Sequence, residues 1–271
     1  MLKDRKIAVL GSGKLGEAMI RGLIEAGVTT ARSVVVTAHH QERLDHMREK
    51  YGVEGLLAND KAAHSADIVI LSVKPQTVSK VLADIDQVLK PSQLLISVAA
   101  SVSTAYIQKH LKAAVPVVRA MPNTPCLINR GMTGLASGTH ARREHIELAK
   151  FIFDAVGRTV IVDEKYMDAI TGLSASGPGF IYIIIESLAE AGVKVGLPRD
   201  IATELAAQAV IGAGSMVIET GEHPAKLKDM VTTPAGCTID GILELEEGGL
   251  RVTLIKAVVK ATQRAKELLE T

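Results

Sequence analysis

Between Arg5 and Gly16 the chain reads RKIAVLGSGKLG, and this stretch limits the possible folds more than any other. Ile7 to Leu10 is apolar without alternation, as a strand buried on both faces of a parallel sheet requires. Gly11, Gly13 and Gly16 then complete G-x-G-x-x-G, and Ala18 to Glu25 continues at helical spacing to a stop at Gly27. In such a strand, turn and helix the first glycine makes the turn, the second admits a pyrophosphate and the third lets helix and strand pack closely. The phosphates then rest on the amides of the helix N-terminus. Three glycines also occur in ordinary strand-to-helix turns, but their placement after a buried strand favours a dinucleotide site.

The remaining composition narrows the function. A net charge of +1, no Trp and 3% aromatic residues give neither a basic footprint nor stacking platforms, so nucleic acid is not an expected partner. The chain enters a strand after Met1-Leu2-Lys3-Asp4, which leaves no room for a signal peptide. The uncharged apolar run Leu205 to Ile218 falls short of the roughly 20 residues that span a bilayer. Cys126 and Cys237 stand far apart, without C-x-x-C, so no disulfide framework is indicated. A soluble protein of a reducing cytoplasm is expected, with no metal site and no membrane partner.

Strand and helix patterns alternate through the first half, the mark of a doubly wound parallel sheet. Strands are expected at 33–37, 55–57, 67–73, 93–98, 116–120, 132–136 and 160–162, and helices at 41–51, 77–89, 104–111 and 142–153. The end of the second strand bears on the cofactor. An NAD site usually places Asp or Glu there to hold the ribose hydroxyls, whereas an NADP site avoids that charge and supplies a cation. This chain has Thr37-Ala38-His39-His40 with Arg43 one turn on, so NADPH is the expected cofactor, with NADH possible. Thr37, His39, His40 and Arg43 are the candidate partners of the 2′-phosphate; taken singly, either histidine reads better as the start of a solvated helix.

Near Asp163 the pattern changes, and only helices are expected from Tyr166 onward: 166–173, 180–192, 199–219, 224–231, 234–247 and 250–269. The fold class is therefore a Rossmann-type domain over residues 1–163 followed by an all-α domain over 164–271. Two of the helices, with Phe180 to Ile185 and Leu205 to Ile218, lack a polar face. About 105 residues of helix can hardly wrap both, so a second subunit is expected to cover them. A compact monomeric bundle is the alternative.

One loop in this half has chemical character. In Met230 to Thr238, Thr233 suits an N-cap and Pro234 the first helical position. The amides of Ala235, Gly236, Cys237 and Thr238 would then be free to hold an anion, with the Thr238 hydroxyl as a neutral donor. A merely well-capped helix fits equally well. The small residues of Ser174 to Gly179 suggest a second loop of this kind.

Taken together, these stretches resemble the pyrroline-5-carboxylate reductase family, whose members reduce a cyclic imine to L-proline with NAD(P)H. The most specific match is HPAKLKDMVTTPAGCTIDGILELE at His223 to Glu246. VKP at Val73 to Pro75, SVAASVS at Ser97 to Ser103, RAMPNTP at Arg119 to Pro125 and TGLSASGPGF at Thr171 to Phe180 support it. Ala235 departs from the family's usual glycine, and Ala175 and Phe180 stand where glycine and tyrosine are usual. The resemblance implies that Gly11, Ser12, Gly13, Lys14, Leu15 and Gly16 wrap the pyrophosphate and that Asn59 lies near the adenosine. It implies that Val73, Lys74, Pro75 and Ala99 line the path to the nicotinamide, with Asn123 in the segment beside it. Thr233, Ala235, Gly236, Cys237 and Thr238 would hold the substrate, with Ser176, Gly177 and Pro178 nearby, and Thr238, the candidate catalytic residue, would bond the ring nitrogen. A homodimer through the helical domain follows, with assemblies of dimers open.

The chemistry suits so sparse a site. A cyclic imine can arrive as the iminium, so the protein need supply only orientation and a carboxylate anchor. A β-hydroxyacid dehydrogenase is the nearest rival, but typically carries a catalytic lysine where this chain has Phe180-Ile181-Tyr182. A non-catalytic NADPH sensor would need no loop like Thr233 to Thr238.

Overall fold

The computed structural model describes Leu2 and residues 5–268. Contacts divide the chain into two units, Met1–Ser176 with Lys260–Thr271, and Gly177–Val259.

In the first unit, β1 (Ile7–Leu10), β2 (Val34–Thr37), β3 (Glu54–Leu56), β4 (Ile68–Leu71), β5 (Leu94–Ser97), β6 (Val117–Met121), β7 (Gly131–Ser137) and β8 (Gly157–Ile161) form one sheet in the order β3-β2-β1-β4-β5-β6-β7-β8. Helices α1 (Lys14–Glu25), α2 (Gln41–Tyr51), α3 (Asn59–His64), α4 (Val78–Ile85), α5 (Thr104–Lys109) and α6 (Arg143–Phe153) alternate with the strands. The unbroken apolar runs have the expected cause. Ile7 and Val9, Val34 and Val36, and Ile68 and Ile70 enter one core, while Ala8 and Leu10, Val35, and Val69 and Leu71 enter another. A residue period of two thus feeds two cores from each strand.

Two expectations need correction here. The sheet is not wholly parallel: β7 runs antiparallel to β6, because only the short 3₁₀ segment Thr124–Ile128 and its flanks connect them, too little for a crossover. The helix α3 lies where no helix was expected, its six residues being too few to display a period.

Arg119, 3% exposed on β6, pairs with Asp168 at 3.1 Å and Glu164 at 3.6 Å. Glu164 also accepts from the Thr104 amide at 2.7 Å. This buried cation fixes residues 164–168, from which a long helical stretch departs: α7 (Met167–Ile170), a π-helical turn (Thr171–Ala175), then α8 (Gly177–Lys194).

The second unit holds α8, α9 (Arg199–Thr220), α10 (Pro224–Met230), α11 (Cys237–Glu247) and the first part of α12 (Leu250–Glu267). Its helices leave large apolar side chains uncovered within one chain, among them Tyr182 (61% exposed), Ile183 (62%), Leu205 and Ile211. The helical stretches Glu164–Lys194 and Arg199–Thr220 are also long and apolar enough, by length and composition alone, to cross a bilayer. The uncharged run 205–218 understated this length, because the helix extends through polar residues on both sides.

Candidate functional site

The reversal of strand order falls beside β1, which has β2 on one side and β4 on the other. In open α/β sheets ligands bind at the carboxyl ends of the strands at such a point. The glycine turn follows β1 there. Gly11 has φ +105°, and a Cβ on it would lie 2.4 Å from the Ser72 carbonyl oxygen, just past β4. A Cβ on Gly16 would lie 2.3 Å from the Gly11 carbonyl oxygen. These two glycines are required by the fold itself.

Gly13 differs. Its φ is −65°, and a Cβ there would meet nothing within 4 Å. The space at this residue serves no intramolecular packing. Gly13 is also the N-cap of α1 and supplies no side-chain cap, so the first amides, at Lys14, Leu15 and Gly16, face an open, anion-favouring end. The arrangement fits a pyrophosphate.

Other expected cofactor residues reach the same sheet edge from different strands. Val73, Lys74 and Pro75 follow β4, with Val73 and Pro75 half-buried and Lys74 exposed, and buried Ala99 follows β5. His39 and His40 are exposed after β2.

Thr37 corrects the expected set of 2′-phosphate partners. It is 2% exposed and its hydroxyl is committed, accepting from the Gly11 amide at 3.2 Å and donating to Asn59 Oδ1 at 2.8 Å. It shapes the glycine turn from beneath. Asn59 Nδ2 in turn donates to Asp84 at 3.1 Å.

Arg43 Nε donates to the Ser12 carbonyl at 2.8 Å, and its Nη2 to Glu17. Glu17, the centre of this cluster, was not among the expected site residues, although an acid in the turn after the glycines is an unusual neighbour for phosphate. It also accepts from Lys50 at 3.0 Å and Tyr51 at 2.8 Å, with His46 3.6 Å away. Burial raises its pKa, but hydrogen bonds from Arg43, Tyr51 and Lys50 outweigh this and lower it to about 2. The anion is thus neutralised by cations carried on α2.

In the second unit the loop before α11 departs from expectation. The helix begins at Cys237 with Gly236 as N-cap, not at Pro234 with Thr233 as cap. Ala235 has φ +58°, which no right-handed helix accommodates. The Gly236 amide donates to the Thr233 carbonyl at 3.0 Å, closing a turn with Pro at its second position and a left-handed residue at its third. Hence the amide of Gly236 is occupied, and Pro234-Ala235 precedes the helix. The amides open to an anion are those of Cys237, Thr238 and Ile239 in the first turn of α11, where Gly236 again supplies no side-chain cap. A Cβ on Gly236 would lie 2.4 Å from Thr233 Oγ1, so a larger residue there would have to turn the Thr233 side chain aside. The left-handed conformation at 235 also accounts for the glycine usual there.

Ser174 to Gly179 is likewise not a loop. It runs from the π turn into α8, and the Ser176 amide and hydroxyl both donate to the Thr171 carbonyl, at 3.0 and 3.1 Å. Small residues here widen a helix rather than end it. Gly177 and Gly179 have open space at the Cβ position. Asn123 uses both ends of its carboxamide, with Nδ2 donating to the Ser174 carbonyl at 3.2 Å and Oδ1 accepting from the Met132 amide at 2.9 Å.

A Rossmann-type sheet with an open, glycine-lined helix start defines a dinucleotide-binding oxidoreductase class. Comparison with known proteins narrows this. Residues 164–268 match the model of the pyrroline-5-carboxylate reductase dimerisation family, and residues 6–101 that of the coenzyme F420-dependent NADP oxidoreductases. The chain is 42% identical to the pyrroline-5-carboxylate reductase of Methanosarcina acetivorans, covering 98% of this chain and 99% of that protein. With the enzyme of that name from Arabidopsis thaliana it shares 39% identity over 98% and 96%. Among solved structures, the pyrroline-5-carboxylate reductase of Coxiella burnetii superposes with a TM-score of 0.91 at 37% identity, over 98% and 99% of the two chains. The Plasmodium falciparum pyrroline carboxylate reductase with NADP bound gives 0.90 at 28% identity, over 99% and 100%. The chain belongs to the pyrroline-5-carboxylate reductase family.

Proposed function

We propose that this protein is a pyrroline-5-carboxylate reductase that forms L-proline by reducing the C=N bond of L-1-pyrroline-5-carboxylate with NADPH, NADH being the alternative donor. The observation that carries the reading is the open start of α1, where Gly13 leaves a space that no part of the fold fills. Gly11 to Gly16 hold the pyrophosphate on the α1 amides, and Arg43, with His39 and His40 nearby in sequence, attracts the 2′-phosphate. Asn59 lies toward the adenosine, and Val73, Lys74, Pro75 and Ala99 line the way to the nicotinamide. Bound there, the reduced nicotinamide supplies the hydride.

The chain's own part in the reaction is binding and orientation. The amides of Cys237 and Thr238 take the substrate carboxylate at the positive end of α11, and the preceding turn, Thr233 to Gly236, presents them without a blocking side chain. The Thr238 hydroxyl bonds the ring nitrogen. Ser176, Gly177 and Pro178 contribute backbone shape beside the substrate. No side-chain acid of shifted pKa is needed, because an iminium brings its proton with it.

Residues 164–271 serve dimerisation and substrate binding, and residues 1–163 the dinucleotide. A second copy of the chain covers the apolar helices, giving a homodimer and leaving room for assemblies of dimers; the exposed Tyr182, Ile183 and Leu205 support this. The protein works in the cytoplasm, in keeping with its two unpaired cysteines. Purified protein mixed with the pyrroline carboxylate and either NADPH or NADH tests the reading by absorbance of the reduced cofactor. Oxidation faster with NADPH is expected, and none with either cofactor would overturn it.

A further inference from the structure

The π turn at Thr171–Ala175 interrupts an otherwise continuous helical stretch, and such turns persist only where something local imposes them. Pro178 is the first part of the cause. In a regular α-helix the carbonyl of residue 174 receives the amide of residue 178. Proline has no amide hydrogen, and its ring crowds the carbonyl four residues back. Asn123, in the segment after β6, supplies the second part by donating Nδ2 to the Ser174 carbonyl at 3.2 Å. The donor end of the side chain is fixed independently, because its Oδ1 accepts from the Met132 amide in β7 at 2.9 Å. With a donor required on one side and an acceptor on the other, the carboxamide has one orientation.

We infer that Asn123 is a positioning residue whose carboxamide replaces the amide that Pro178 lacks, thereby holding the widened turn that sets the backbone at Ser176 and Gly177. Pro178 alone forbids the regular helix without choosing what takes its place. Asn123 makes the choice, and ties it to the sheet through β7. The effect on the reaction rests on the proposal that Ser176, Gly177 and Pro178 lie beside the substrate; the effect on the helix does not.

A double-mutant cycle separates the two levels. Asn123→Asp keeps an acceptor for Met132 and removes the donor for Ser174, while Pro178→Ala restores an amide at 178. The readouts are amide hydrogen exchange over residues 171–177 and the Michaelis constants for the pyrroline carboxylate and for NADPH. With Pro178 present, Asn123→Asp should speed exchange about tenfold and raise the constant for the pyrroline carboxylate about fivefold. In the Pro178→Ala background the same substitution should change each by less than about twofold, because Ser174 then has a partner within its own helix. If Asn123→Asp alone fails to fold, folding of the double variant is the same rescue. Equal losses in both backgrounds, or failure of both variants to fold, would overturn the inference, as would a change confined to the constant for NADPH. Coupling in exchange with no coupling in the substrate constant would leave the helix pin standing and remove these residues from the substrate site.

Discussion

Arg43 turns back from the first turn of α2 and donates Nε to the carbonyl of Ser12 at 2.8 Å. A cation carried by one βα unit is thereby tied to the glycine turn of another, at the edge where the cofactor's phosphates are proposed to lie. Glu17 completes the arrangement by holding the other end of the guanidinium.

Arg43→Ala should therefore weaken NADPH more than NADH. A charge-assisted hydrogen bond contributes about 1.5–3 kcal/mol, or roughly ten- to a hundredfold in affinity. Fluorescence titration with each cofactor checks this, and an equal loss for both would mean that Arg43 only braces the glycine turn. Ala38→Asp should shift preference in the same direction by repelling the 2′-phosphate.

The Glu17 cluster predicts an acid-sensitive contribution to stability. Its carboxyl is lowered from 4.5 to about 2 in the folded chain, so the folded state holds fewer protons there than the unfolded state between those values. The stabilisation is fully present above pH 4.5 and is lost as pH falls toward 2. Glu17→Gln should lower the melting temperature at pH 7 and flatten its fall below pH 4.5. Melting curves that stay parallel for the two proteins down to about pH 3 would exclude Glu17 as the source.

Thr238→Ala should lower turnover more than it raises the Michaelis constant for the pyrroline carboxylate, since the backbone amides that hold the carboxylate survive. The expected loss is about 1.5–3 kcal/mol for a hydrogen bond to a charged iminium. Thr238→Ser should retain most activity. If Thr238 merely stabilises the first turn of α11, the alanine variant would melt earlier yet turn over normally per folded subunit; measuring both on one sample decides.

Ile183→Glu probes assembly. The side chain is 62% exposed in one chain, so a monomer would tolerate the change. If a second copy covers it, a charge enters an apolar interface without a partner, and aggregated or dissociated, inactive protein should result. Dimeric, active protein by light scattering would place the interface elsewhere.

The parts of this protein legible in its sequence were those governed by local period and local sterics. The apolar runs of β1, β2, β4 and β5 read as doubly buried strands because both faces of each are filled, and Gly11 and Gly16 read as a turn because a Cβ at either would collide with backbone. The change to helices near Asp163 was equally plain, since it is a change of period. Boundaries fared less well where the deciding contact is a single backbone angle. Thr233-Pro234 looks like a capped helix start, and only the left-handed Ala235 moves that start to Cys237.

What the tertiary structure alone decided is how side chains distant in sequence divide their hydrogen bonds. Thr37 stood where a phosphate partner belongs, yet folding brings Gly11 and Asn59 to its hydroxyl and buries it. Glu17 carries no signal in the sequence, and only folding gathers Arg43, Lys50 and Tyr51 around it. Asn123 finds Ser174 across 51 residues of chain. Sequence patterns record which surfaces are buried, because burial repeats with the period of the backbone. A hydrogen bond between remote residues has no period, and it exists only once the sheet has set its two partners within about 3 Å.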